Sequence, residues 1–139
     1  MIIGQIKDGI VLDHITAGNA MNIYNVLKLG ELDCTVALIK NADSAKMGKK
    51  DIIKISTHMD IDLDVLGYLD PGITVNIIHD GKVAERRTLE LPQRVVGVIK
   101  CRNPRCITSV EREIVHEFKL TDPQKQIYRC IYCEHKASK

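Results

Sequence analysis

The sequence predicts an α+β protein: a ferredoxin-like α/β sandwich followed by a small C-terminal antiparallel β domain that binds zinc. Three observations carry this expectation. Over the first two thirds of the chain, apolar residues recur at strand and helix periods in the order β-α-β-β-α-β. Two Asp-Gly pairs, Asp8-Gly9 and Asp80-Gly81, stand between short apolar runs, where glycine accepts the positive φ of a tight turn. Four cysteines in the last third form two close pairs, Cys101-x4-Cys106 and Cys130-x2-Cys133.

Taken in order, Ile3, Ile6, Ile10 and Leu12 flank Lys7-Asp8-Gly9, so the chain is expected to open with a hairpin. Thr16-Ala-Gly-Asn19 offers a cap, and Ala20, Ile23, Tyr24, Val26 and Leu27 follow at helical spacing until Gly30. Residues 33–40 and 50–56 read as strands around Met47-Gly48. A second helix is capped by Asp60 or Asp62, buries Leu63, Leu66 and Leu69, and stops at Asp70-Pro71-Gly72 because proline cannot continue it. Strands over 73–78 and 83–89 then flank Asp80-Gly81. Leu91-Pro92-Gln93-Arg94 has the composition of a linker, which divides the chain into domains at 1–94 and 95–139. In the second, residues 114–120 and 126–130 are expected to be antiparallel strands.

The 139 residues are 45% hydrophobic and 27% charged, as in a globular domain, and no run is apolar for the roughly 18 residues of a membrane span. The start lacks a basic region followed by an apolar core, so a cytoplasmic, unprocessed chain is expected. A net charge of +2 is too small to imply nucleic-acid binding by itself, although Lys46, Lys49, Lys50 and Lys54, and the arginines from Arg86 to Arg105, cluster locally.

In a reducing compartment the paired cysteines remain thiols, and an odd total of five fits a disulfide framework poorly. A structural Zn2+ takes four thiolates at about 2.3 Å, and short knuckles turn both sulfurs of a pair toward one point. The competing readings are a disulfide and unrelated buried thiols; His135 is a rival ligand, and Cys34 reads as an inert buried thiol. Four thiolates fill the tetrahedron and leave no position for an activated water. No nucleophile motif or P-loop occurs, so no enzyme activity is supported.

Asp13-His14 follows the first strand; Lys50 and Lys54, four apart on an extended segment, share a face, and Asn76 and Arg86 lie on neighbouring strands. Such a set would hold an anionic nucleotide without a glycine-rich loop, although each residue alone also reads as a polar strand end or a solvated face.

The runs Gly9-Ile-Val-Leu-Asp13-His14-Ile15, Met47-Gly-Lys-Lys-Asp-Ile-Ile-Lys54-Ile55, Thr74-Val-Asn76 and Leu91-Pro92, with the four cysteines, together resemble the regulatory chain of aspartate carbamoyltransferase over essentially the whole sequence. The resemblance implies a non-catalytic subunit. Its N-terminal domain would bind ATP or CTP and pair regulatory chains as a homodimer, and its C-terminal zinc domain would dock onto catalytic chains. It further implies a nucleotide site of Ile6, Asp13, His14, Lys54, Asn76, Ile78, Val83 and Arg86. Arg86 stands in place of a phosphate-binding lysine, and Gly81 where the family often has a tyrosine near the base. The metal ligands would be Cys101, Cys106, Cys130 and Cys133. The runner-up is a zinc-ribbon module binding nucleic acid or the ribosome through Arg102, Arg105, Arg112 and Lys119.

Overall fold

A computed structural model describes residues 6–137. Its strands are β1 (Gly9–Thr16), β2 (Val36–Ser44), β3 (Gly48–Ile55), β4 (Thr74–His79) and β5 (Lys82–Thr88), then β6 (Arg94–Val96), β7 (Glu117–Asp122) and β8 (Ile127–Cys130). Its helices are α1 (Ala20–Val26), α2 (Leu63–Leu69) and α3 (Ile107–Val110), with a 3-10 turn at Leu29–Glu31. The first five strands form an antiparallel sheet in the order β2-β3-β1-β4-β5. Its first four members have the split βαβ order of a ferredoxin-like sandwich, with β5 added at the edge. The last three strands form a small sheet, β6-β7-β8.

Strand side chains alternate between faces, and one face of the large sheet supplies the core. Ile10, Leu12, Ile53, Ile55 and Val75 are at most 1% exposed and pack with Ala20 and Ile23 of α1 and Leu66 of α2. Both helices therefore lie on the same side. The opposite face carries the alternate residues Val11, Lys54, Asn76 and Arg86.

Several boundaries differ from the sequence expectation for local reasons. The first arm of the opening hairpin begins at Ile3, outside the described residues; Ile6 precedes β1 without joining a strand. The turn at Asp8-Gly9 instead docks on the β4–β5 turn, where the Lys7 carbonyl accepts the Gly81 N–H at 2.7 Å. α1 stops at Val26, ahead of Gly30, because Lys28 turns left-handed at φ 56°. Its N-cap Asn19 makes no side-chain capping bond; the buried Asp51 on β3 accepts the Gly18 and Ala20 N–H groups at 2.9 and 3.2 Å instead. For α2 the cap is Asp62, which accepts from Asp64 and Val65 at 3.0 and 3.2 Å. β2 starts at Val36 and runs on to Ser44 past a bulge, and β7 starts at Glu117 because residues before it form a turn. The short β6 and α3 were not foreseen.

The two sheets meet through α2. Tyr68 packs edge-on against Tyr128 of β8 at 4.8 Å and 80°, and the Tyr128 hydroxyl donates to the Pro92 carbonyl at 2.6 Å. Tyr68 thus belongs to the second hydrophobic cluster, with Val95, Phe118, Tyr128 and three of the cysteines.

Candidate metal centre and ligand face

The four cysteines meet at one point. The Cys101 and Cys106 knuckle is shaped by Asn103, whose carbonyl accepts from the Cys106 N–H at 3.1 Å and whose Oδ1 accepts from Arg105 at 3.1 Å. α3 follows at once, and the Ser109 hydroxyl donates back to the Asn103 carbonyl at 2.7 Å. The second knuckle closes through Glu134, left-handed at φ 64°, whose N–H donates to the Cys130 carbonyl at 2.8 Å.

All four sulfurs lie within 4.8 Å of one another, with Cys101–Cys133 at 3.5 Å and Cys106–Cys130 at 3.7 Å. A disulfide requires about 2.05 Å. A tetrahedron with bonds of about 2.3 Å has sulfur–sulfur edges of about 3.8 Å, so the set fits a closed tetrathiolate centre. The chemistry of the donors agrees. Burial raises the Cys106 thiol, but the Thr108 hydroxyl and N–H and the adjacent sulfurs outweigh it and bring it down to about 7. Burial pushes Cys101 up to about 12, with the neighbouring sulfurs adding to it. Sulfurs this crowded do not all ionise unless a cation supplies the opposing charge.

Around the cluster, the Thr108 hydroxyl donates to Cys106 Sγ at 3.0 Å and the His135 N–H to Cys133 Sγ at 3.4 Å. His135 contributes its backbone, and its ring is not in the ligand group. His116 Nδ1 accepts the Cys101 N–H at 2.9 Å, which orients the first knuckle. Thr108 and His116 were missed from the sequence: neither has a spacing that marks it, and His116 is brought in only by β7. Cys34 is half-buried against the first core, away from this group.

The second candidate lies on the large sheet. Register aligns Lys54 with Val11, Val11 with Asn76 and Asn76 with Arg86, so the four stand in one row across β3, β1, β4 and β5. With strands about 4.8 Å apart, that row spans about 14 Å. Arg86 Nε donates to Asn76 Oδ1 at 3.1 Å, leaving the Nη edge of its fork for other acceptors. Ile78, two residues beyond Asn76, is buried and pairs with Val83, which is exposed. Ile6 is half-buried just ahead of β1.

At the other end of β1, a register shift between Leu12 and Ile15 throws His14 into a left-handed conformation, φ 60°. His14 Nδ1 lies 3.2 Å from the Thr74 hydroxyl. Asp13 Oδ1 receives the His14 N–H at 2.6 Å and the Lys50 ammonium at 2.9 Å. Burial alone would raise the Asp13 carboxyl, yet these bonds hold it below the ordinary carboxylate value. Lys50, read from the sequence as a phosphate contact, is committed to Asp13. Thr74 is a neighbour that strand pairing supplies and spacing does not announce.

An α+β sandwich with a polar sheet face, joined to a small β domain built around a four-cysteine cluster, defines a two-domain protein with a metal-binding module. Residues 1–90 match the model for the aspartate carbamoyltransferase regulatory chain, allosteric domain, and residues 93–139 that for its metal binding domain. An aspartate carbamoyltransferase regulatory chain of Clostridium acetobutylicum is 57% identical over 134 residues, covering 96% of this chain and 92% of the relative. One of Clostridium tetani is 53% identical over 135 residues, covering 96% and 94%. One of Bifidobacterium longum is 43% identical over 137 residues, covering 99% of both. The chain belongs to the aspartate carbamoyltransferase regulatory chain family, and is a non-catalytic subunit with an allosteric and a metal-binding domain. No helix among the described residues is long and apolar enough to cross a membrane.

Proposed function

We propose that residues 1–94 bind ATP and CTP on the sheet face opposite α1 and α2, and that residues 95–139, knit by one structural Zn2+, dock the chain onto catalytic chains of aspartate carbamoyltransferase in the cytoplasm. The cross-strand row Lys54–Val11–Asn76–Arg86 carries the nucleotide reading. Lys54 and Arg86 supply positive charge at either end for phosphate oxygens, and Asn76 can both donate and accept toward a base or ribose. Asp13 and His14 form the polar end of the same site, and Ile6, Ile78 and Val83 its apolar wall. Arg86 meets a phosphate as a planar fork where lysine would act as a point charge.

Zn2+ suits the second domain because four thiolates exclude water and substrate from the ion, which then acts only to hold the knuckles in place. The exposed apolar side chains Val96, Val98, Ile107, Val110 and Tyr132 sit on or beside these metal-held loops and give a docking surface little entropy to lose. Regulatory chains would pair with one another through the first domain. A nucleotide shifts the catalytic assembly only by binding its two quaternary states with different affinity.

Calorimetry tests the site. Lys54→Ala is expected to weaken both ATP and CTP by about 1–3 kcal/mol, the cost of losing a charged hydrogen-bonding group. Unchanged affinity for both would remove Lys54 from the site.

A further inference from the structure

Asp8, His58 and His79 are separated in sequence, yet they bring one carboxylate oxygen and two imidazole nitrogens within 4.8 Å of one another. The strand register explains the meeting. β1 begins at Gly9 and β3 ends at Ile55, while His79 closes β4. Antiparallel pairing of Ile10 with Ile55 and of Gly9 with Ile78 brings those three ends to one end of the sheet.

The carboxylate is held in place before any ion arrives. Asp8 Oδ1 accepts the Asp80 N–H at 3.1 Å, and the adjacent Lys7 carbonyl accepts the Gly81 N–H. Backbone bonds of this kind orient a metal ligand from behind. His79 Nδ1 lies 3.2 Å from the same oxygen, and the His58 and His79 ring centroids are 6.3 Å apart. Donors about 2.1 Å from a shared ion stand about 3.0–3.4 Å from one another, so Asp8 and His79 already have the required separation. His58 is exposed, so its side chain is free of packing that would prevent it from turning toward the other two.

We propose that Asp8, His58 and His79 form a second metal site that takes a divalent transition-metal cation, with water completing its coordination. Two imidazoles and a carboxylate favour borderline ions such as Ni2+, Co2+ or Zn2+ over Mg2+ or Ca2+. The site is open, whereas the thiolate centre is closed: the Asp8 and His79 side chains are 46% and 74% exposed. An ion there would tie the segment before β1 to the β4–β5 turn and to the connection between β3 and α2. The proposal stands apart from the nucleotide reading, since it uses none of the residues assigned to that site.

Ni2+ titrated calorimetrically into the full chain, its thiolate centre already loaded, tests the site. One Ni2+ per chain is expected to bind, broadening the Asp80 and Gly81 amide resonances. His58→Ala and His79→Asn are each expected to weaken binding at least tenfold without moving the Ni2+-free melting temperature, and His135→Ala to leave it unchanged. Absence of Ni2+ binding to the wild type, or equal affinity in His79→Asn, would overturn the proposal.

Discussion

At the scale of single residues, Asp51 shows how a buried charge is satisfied. It is fully buried, and its two oxygens accept backbone N–H groups from Gly18, Ala20 and Asn41 at 2.9, 3.2 and 3.0 Å. Burial raises the carboxyl, but these three bonds outweigh it and hold it below its ordinary value of 3.8. The group thus ties the start of α1 to β3 and to the bulge at Asn41. An amide cannot replace it, because however Asn is turned its NH2 faces at least one backbone N–H. Asp51→Asn is expected to cost about 1–3 kcal/mol in denaturant unfolding at pH 7. Because the folded-state value is depressed, the carboxylate's contribution is fully present above pH 3.8 and fades as pH falls through the lower folded value. The gap between wild type and Asp51→Asn should therefore narrow in acid, and a gap constant with pH would assign the loss to packing alone.

At the scale of elements, α2 carries the contact between the two sheets, and Gly67 permits it. A Cβ there would lie 2.2 Å from the Glu90 carbonyl oxygen. Helix propensity favours alanine by about 1 kcal/mol, but an overlap with backbone cannot be relieved by a rotamer and costs about 1–3 kcal/mol or more. Gly67→Ala is thus expected to destabilise and to disturb the Tyr68–Tyr128 contact, read by denaturation and by the tyrosine signal in near-ultraviolet circular dichroism. A stabilised variant would show that the connection at residues 90–92 yields easily. The long elements were legible in the sequence where the apolar residues mark them locally: Ile10 and Leu12 beside Lys7-Asp8-Gly9 for β1, and the Leu63, Leu66 and Leu69 face behind the Asp62 cap for α2. β6 and α3 were not, since three or four residues show no period, and β6 exists only because β7 offers it a partner. The same reason separates the two candidate sites. The cysteines announce themselves by local spacing, whereas the Thr74 contact of His14 and the Lys50–Asp13 pair arise from strand register and a bulge that no local spacing records.

At the scale of the whole molecule, the proposed Zn2+ contributes the order of the second domain, whose buried residues are few and include three of its ligands. Cys130→Ser is expected to release the ion and raise amide exchange throughout β6, β7 and β8 while β1, β3 and β4 keep their protection. Equal protection of the small sheet in wild type and Cys130→Ser would show that its apolar cluster suffices without metal. The central claim joins the two parts: nucleotides bound on the first sheet act on catalytic chains held by the metal-knit domain. The most direct measurement is the substrate saturation of isolated catalytic chains of aspartate carbamoyltransferase after adding either the zinc-loaded or the chelated chain, each with and without CTP or ATP. The account predicts that only the zinc-loaded chain binds, changes the saturation curve and makes it respond to nucleotide. Equal binding by both forms, or a curve that no nucleotide shifts, would contradict it.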